Sequence, residues 1–574
     1  MTRSLRPLLG LWGSIVALPI ILQAAVFYYS VNYGILRGPL VRDDAYTTLQ
    51  ALERISSFLI ADSFAVNLRR IVHLWFHSPI ANMQTGGALL LSGGNLLAAF
   101  ALNFWCLSLS LYFLLARSRL ESAPLKLAIT LLVALQPLAI ASLLFIKADF
   151  KGGLFMAAGI FLLYRAVECN DSKLKIFGAA SLSLAVIAKT TAFYGPIFAL
   201  GILILFEIYA FVQQWEESKS LFDARARVAA ELRVLAVCVV IVTTPYLFFF
   251  SLRAKDYVEY IRFGLSAVWA DGLTVLERAW YYSPASSDGA ALWGKLHLEF
   301  LLFTITALAI SIIRRNFSSA LLLVMLCFAM GVYALPLVFA RTSNMEYAGT
   351  AIGVVLGSTL VAIMIVVKSS DQWRAYAVMT AVILFTLFTR MPLDFDPPTF
   401  GGAPQVDRFT KLEMEELGRA YQQIAGTIAA QTDKAQPVVT VFFHHTAAVP
   451  PNLSIEYFRR TANFLDLKDV WNLSDDKAVS SALKASDFLL AIIPADPNKT
   501  YVPGMNSVFP ISADPGQADR CIAAKSFLER SGSYPIPGGA IRLYKRSKDT
   551  HNESDPGFYC PWEKPAERLT GPSQ

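Results

Sequence analysis

Residues 8 to 46 read LLGLWGSIVALPIILQAAVFYYSVNYGILRGPLVRDDAY, an apolar run from Leu8 to Tyr29 followed by the polar Val41-Arg42-Asp43-Asp44-Ala45-Tyr46. A run of this length crosses a bilayer as a helix, which needs about 20 mostly apolar residues. Arg3 and Arg6 precede it, as they would precede a signal peptide. The run is longer than a signal h-region, however, and no clear small-residue cleavage site follows, so it reads as an uncleaved first span. Two adjacent carboxylates then emerge just past the end of that span.

The pattern repeats along the chain. Its 574 residues are 55% hydrophobic and only 16% charged, outside the range of soluble globular proteins. Candidate spans fall at about 8–30, 95–116, 125–145, 152–167, 176–188, 192–212, 234–252, 296–313, 318–340, 347–367 and 375–389. The fifth is too short to cross alone and is expected to stop at a cavity, where interrupted backbone is tolerated. The expected fold is a polytopic α-helical membrane protein of about eleven spans with its N-terminus inside. Basic residues support that count. Arg117, Arg119 and Lys126, then Lys173 and Lys175, then Lys219, Arg225, Arg227 and Arg233, then Arg314 and Arg315, then Lys368 and Arg374 all fall in the turns it places inside. The net charge of +7 therefore reads as topology, and no nucleic-acid partner is expected.

The same count places three longer segments outside. In the first, residues 31–94, Tyr46 to Ile60 is amphipathic and Ile80 to Leu91 is apolar but short, as suits helices lying along the bilayer surface. The second, residues 253–295, carries Tyr257, Tyr260, Trp269, Trp280, Tyr281, Tyr282 and Trp293, the composition of chain at headgroup depth. It serves equally as an interfacial anchor or a lipid gate. The third begins at a linker over 391–405, marked by Pro392, Pro397, Pro398, Gly401, Gly402 and Pro404, which ends the membrane region 1–390. Residues 406–574 then read as a small extracytoplasmic α/β domain. A helix is expected over 406–430, a buried strand at Val438–Phe443, a helix at 476–486, a strand at 488–493 and an edge strand at 540–545. Cys521 and Cys560 share this region; an oxidising compartment would permit one disulfide, and the sequence leaves the pairing open.

Several polar groups have the chemistry of a site. Alone, Asp43-Asp44 reads as a helix cap, since an Asp before Ala45-Tyr46-Thr47 would accept backbone N–H bonds. Beside a membrane cavity the same pair can supply a general base, with the second carboxylate holding the attacking hydroxyl in line. His77, in Phe76-His77-Ser78-Pro79, serves structure or substrate binding. Lys147, Asp149 and Lys151 fall at the outer junction of the third and fourth spans, either as interfacial charge or as a carboxylate flanked by phosphate-pairing lysines. Lys189 interrupts an apolar stretch, and an intramembrane charge is a functional candidate by default. Arg341, with Asn344, Glu346 and Tyr347, occupies the outer turn before the tenth span, suited to a lipid phosphate or simply to an interface. His444-His445 lack the spacing of a helical zinc pair, and neither a Walker loop nor a dinucleotide fingerprint occurs in suitable context. No cofactor is expected to be required, and a divalent metal has no clear ligand motif.

Taken in order, these features resemble the GT-C superfamily of polyprenyl-phosphate-sugar-dependent glycosyltransferases. Within it they are most similar to the bacterial relatives of protein O-mannosyltransferases and lipid A aminoarabinose transferases. Arg42-Asp43-Asp44-Ala45-Tyr46 is similar to the acidic first-loop motif, and His77-Ser78-Pro79 to a His-Pro-Pro-like element. Asp149 matches the acid of the next outer loop, and Ala188-Lys189-Thr190 resembles a Thr-Lys-Gly-like turn. The sequence departs from that pattern in carrying Asp44 for the commoner Glu, Ser78 for a Pro and Thr190 for a Gly. The resemblance implies an inverting transfer from a polyprenyl-phosphate-linked sugar donor to a hydroxyl of a cell-envelope acceptor, in a bacterial inner membrane with the C-terminal domain in the periplasm. Asp43 or Asp44 would be the base, Asp149 would orient the acceptor, and Lys189 and Arg341 would bind the donor phosphate. An oligosaccharide ligase or polymerase, a lipid or glycan translocator, and a non-catalytic relative are the competing readings.

Overall fold

The computed structural model describes residues 5–33, 79–93, 95–120, 122–146, 148–189, 194–217, 229–247, 273–286, 289, 292–339, 347–369, 377, 379–381, 384, 411–443, 458, 462, 464–469, 485–495 and 529–546. Thirteen helices are numbered here before the C-terminal region: α1 (Leu5–Tyr33), α2 (Pro79–Leu91), α3 (Leu96–Ala116), α4 (Ala123–Leu135), α5 (Pro137–Leu144), α6 (Ala148–Glu168), α7 (Ser172–Ala188), α8 (Tyr194–Glu217), α9 (Ala229–Leu247), α10 (Val275–Tyr281), α11 (Leu296–Ile313), α12 (Phe317–Phe339) and α13 (Ala348–Lys368). Among the described residues seven helices are long and apolar enough to cross a membrane, or eight if α4 and α5 form one span. The chain is an integral membrane protein. Most of the run expected at 375–389 lies outside the described residues.

The bundle is built around α6 and α13. Every residue of α13 from Ala348 to Val367 is buried, and α6 is buried over nearly all its length. Lipid gives apolar helices no reason to leave it, so close packing depends on small residues that let backbones approach. Gly349, Gly353 and Gly357 recur at every fourth residue along one face of α13 and meet Gly153, Ala157 and Ile160 of α6. On the other side of α6, Leu182 of α7 closes over Gly159, Leu163 fills the space beside Gly178, and Ser181 Oγ donates to the Phe155 carbonyl at 2.7 Å. The outer helices turn a different face away from the bundle. Phe317, Val324, Phe328, Leu335 and Phe339 of α12 are exposed in one stripe, the pattern of a helix facing lipid.

The expected run 125–145 is broken where two helices meet at 60°. Pro137 has no N–H to continue α4 and starts α5 with its φ already suited to a first helical position. Gln136 before it is extended, at φ −68° and ψ 144°, as a residue preceding proline tends to be. At the basic end of the bundle, Arg165 donates to the carbonyls of Ser118 and Arg119 and pairs with Glu168. Arg119 pairs with Asp171, and Lys175 with Glu231. These bonds tie together the turns between α3 and α4 and between α6 and α7, and join α7 to α9.

Within the aromatic segment, α10 begins at a capping box. The Thr274 hydroxyl accepts from the Glu277 N–H, while the Thr274 backbone N–H and hydroxyl donate to Glu277 Oε2 at 2.7 and 2.8 Å. Those two donors, the backbone one first, hold the Glu277 carboxyl below its ordinary 4.5. A depressed carboxylate stabilises the fold above its unfolded pKa and loses that contribution as pH falls through the folded one. Acidification below 4.5 should therefore lower the protection of the α10 amides relative to their intrinsic exchange rates at the same pH, and Glu277→Gln should remove that loss. Exchange in α10 that is the same in both proteins at every pH would show that the box does not hold the helix.

The C-terminal region contains α14 (Lys411–Gln431) and strands β1 (Val438–Phe443), β2 (Asp466–Asp469), β3 (Phe488–Pro494), β4 (Glu529–Ile536) and β5 (Gly539–Lys545), in sheet order β2-β1-β3-β5-β4. The β2-β1-β3 half is parallel and the β3-β5-β4 half antiparallel. Leu417, Tyr421, Ile424 and Ile428 of α14 are fully buried at helical spacing. The helix expected at 476–486 lies largely outside the described residues. One expectation is corrected. The strand over 540–545 is not at the edge: β5 pairs with β3 on one side and β4 on the other, and Ile541 and Leu543 are fully buried. Among the described residues the edges are β2 and β4, whose Asp466, Lys468, Gly532 and Pro535 interrupt the apolar alternation that marks a strand, as an edge position tolerates.

Candidate active site

Helices α6 and α7 form an antiparallel hairpin, which brings the start of α6 beside the end of α7. Asp149 lies in the first turn of α6, and Lys189 is the C-cap of α7, in extended geometry at φ −146° and ψ 121°. Each charge therefore sits at the helix end whose dipole favours it. With 17 residues α7 is about 25 Å long, shorter than a hydrocarbon core of about 30 Å, and it ends at Lys189. There Lys189 Nζ stands 3.0 Å from Asp149 Oδ2. Asp149 is buried, at 2% exposed, and Lys189 is largely covered, at 14%, so water screens the pair little. The Gly-lined crossing of α6 and α13 brings in the third member: Lys189 Nζ lies 5.8 Å from the ring centroid of Tyr347, the residue capping α13, within cation–π range.

Asp149 Oδ1 has no hydrogen-bond partner among the described residues. A buried carboxylate with one oxygen on a lysine and the other without a partner can accept a hydrogen bond from an incoming hydroxyl. Lys189 has three N–H donors, enough to serve a carboxylate and a further anion together. Lys151 is buried at 1% exposed, but two residues along a helix turn it roughly 200° from Asp149, onto another face of α6. Asp149, Lys189 and Tyr347 thus come together. Asp43, Asp44, His77, Lys147, Arg341, Cys521 and Cys560 lie outside the described residues.

A buried polar pair went unnoticed in the sequence. Gln136, at the break between α4 and α5, donates through Nε2 to Glu299 Oε2 of α11 at 3.1 Å, and both residues are buried. The available signal was Glu299 itself, the one acid in the apolar run from Leu296 to Ile313. A second buried link joins α3 to α1, from Ser108 Oγ to Gln23 Oε1 at 2.8 Å.

These features define a polytopic membrane protein in which central helices carry a charged cluster, shielded from water, at one end of the bundle. Two solved structures are similar over nearly the whole chain. The apo structure of ArnT from Cupriavidus metallidurans has a TM-score of 0.52 at 13% identity, covering 92% of this chain and 97% of ArnT. The structure of the same ArnT bound to undecaprenyl phosphate has a TM-score of 0.52 at 12% identity, covering 94% and 99%. No protein-family model and no curated protein sequence matches the chain.

Proposed function

We propose that this protein transfers a sugar from a polyprenyl-phosphate donor to a hydroxyl of a cell-envelope lipid, glycan or protein, with inversion at the anomeric carbon. The observation that carries the reading is the Asp149–Lys189 pair beside Tyr347, in a chain whose fold matches an ArnT solved with undecaprenyl phosphate. In the proposed step the acceptor oxygen attacks the anomeric carbon as the bond to the carrier phosphate breaks. The hydroxyl proton passes to Asp43 or Asp44, and the polyprenyl monophosphate departs. Asp149 orients the acceptor through Oδ1, while Lys189 and Arg341 meet the charge growing on the phosphate. Lys147, His77 and Tyr347 complete the substrate-binding set, Lys151 facing elsewhere on α6, and no cofactor enters the reaction.

The basic turns gather at the opposite end of the bundle from Asp149, so the positive-inside rule supports an outward-facing site in a bacterial inner membrane, with residues 406–574 in the periplasm. The test is a transfer assay with the purified protein and matched polyprenyl-monophosphate and polyprenyl-pyrophosphate sugars. Turnover of the monophosphate donor is expected, with Asp43→Asn or Asp44→Asn lowering it about a hundredfold in a folded protein. Use of the pyrophosphate donor alone would indicate an oligosaccharide ligase. Lipid flipping in proteoliposomes with no covalent product would indicate a translocator. Undiminished turnover in both variants would remove the base assignment.

A further inference from the structure

Toward the other end of α6 lies a cavity of about 410 Å³ between α6, α8, α12 and α13, reaching from Ile160 to a mouth at Glu168 roughly 28 Å from Asp149. Its polarity is segregated. Ile160, Leu163, Ile202, Leu326, Val361 and Ile365 wall the part that runs into the helix bodies. The polar lining, which includes Glu168, Arg314, Asn316 and Lys368, comes from the helix ends and the α11–α12 turn. A slot that is apolar toward the bilayer centre and polar at the helix ends has the shape of an amphiphile held between spans.

The charge balance selects the amphiphile. Glu168 is already paired to Arg165, one turn back on the same helix. Lys368 is therefore a second cation on a neutralised carboxylate. Its Nζ stands 2.8 Å from Glu168 Oε1, which has no properly angled hydrogen bond, and its side chain is 66% exposed. Arg314, also at the mouth, donates to the Ser369 carbonyl and has no ion-pair partner among the described residues. The lining thus carries Arg314 and Lys368 against Glu168, which Arg165 outside the lining already neutralises, so the polar end is positive, and basic pockets between spans recruit acidic headgroups.

We infer that this cavity binds an anionic glycerophospholipid of the leaflet at the basic end, its phosphate against Lys368 and Arg314 and an acyl chain along α6 and α13. This is a second lipid site, separate from the one in which the proposed donor would react.

Native mass spectrometry of the full-length protein, titrated with phosphatidylglycerol, phosphatidylethanolamine or undecaprenyl phosphate, tests the assignment. The wild type should hold one phosphatidylglycerol at least tenfold more tightly than phosphatidylethanolamine. Arg314→Gln with Lys368→Gln should weaken that binding roughly thirtyfold, and Leu322→Trp, which fills the apolar wall, should block it. Should a variant fail to fold, the wild-type comparison of the two phospholipids still decides. Equal retention of both, a preference that survives loss of the two cations, or displacement of phosphatidylglycerol by equimolar undecaprenyl phosphate would overturn the assignment.

Discussion

Asp149→Leu is expected to destabilise the protein by about 3 kcal/mol, because it removes the buried counter-ion 3.0 Å from Lys189. Lys189→Met should cost a comparable amount, since it strands a carboxylate that is 2% exposed. The double change Asp149→Leu with Lys189→Met removes both charges and their desolvation together, and should return to within about 1–2 kcal/mol of the wild type. Thermal unfolding of the four proteins in one detergent forms a double-mutant cycle whose coupling isolates the pair. The double variant also separates structure from chemistry. It should be stable and yet transfer no sugar, because the Oδ1 acceptor and the Lys189 donors are both gone. A double variant that is stable and active would reduce the pair to a structural device and overturn the proposed roles of both residues. A coupling below about 0.5 kcal/mol would mean the two charges do not depend on one another.

The spans were legible because length and apolarity respond directly to bilayer thickness; α11 and α12 begin and end within a residue of their expected runs. What hydropathy cannot distinguish is a helix buried in protein from one bathed in lipid, since both are apolar all round. The central position of α6 and α13 therefore emerges only in three dimensions. Its sequence trace is the fourfold spacing of Gly349, Gly353 and Gly357. The topology placed Asp149 and Lys189 at the same end of the bundle, but their pairing depends on the register of the α6–α7 hairpin, which Gly159 and Gly178 set through side-chain packing. Glu299 escaped notice because its partner, Gln136, sits at a proline break inside what reads as one continuous apolar run. In the C-terminal region the alternation of β5 identified a strand but not its place in the sheet, because the polar β4 beside it carries no such alternation.

Gly353→Ala should be among the most damaging single changes in the membrane region. A Cβ at that position would lie 2.1 Å from the carbonyl oxygen of Gly153 and 2.5 Å from its Cα. Both are backbone atoms, so no side chain can swing aside, and α6 and α13 must separate. The expected cost is about 3 kcal/mol, the upper end of ordinary overpacking, and Gly153→Ala should behave alike because its Cβ would meet the Gly349 carbonyl oxygen at 2.2 Å. Activity should fall further than stability. Asp149 rides on α6 and Tyr347 caps α13, so separating these helices pulls Tyr347 away from the Asp149–Lys189 pair, and a displacement of about 1 Å is enough to spoil a reacting geometry. Gly201→Ala in α8 and Gly331→Ala in α12 supply the contrast, because a Cβ at either meets nothing within 4 Å. There the better helix propensity of alanine should leave stability unchanged or raise it by up to about 1 kcal/mol. Detergent melting temperatures and transfer rates for the four variants, taken together, distinguish a general aversion to added methyl groups from a specific demand at the α6–α13 crossing. Losses of equal size at Gly201 and Gly353 would show that the crossing has no special role in holding the site.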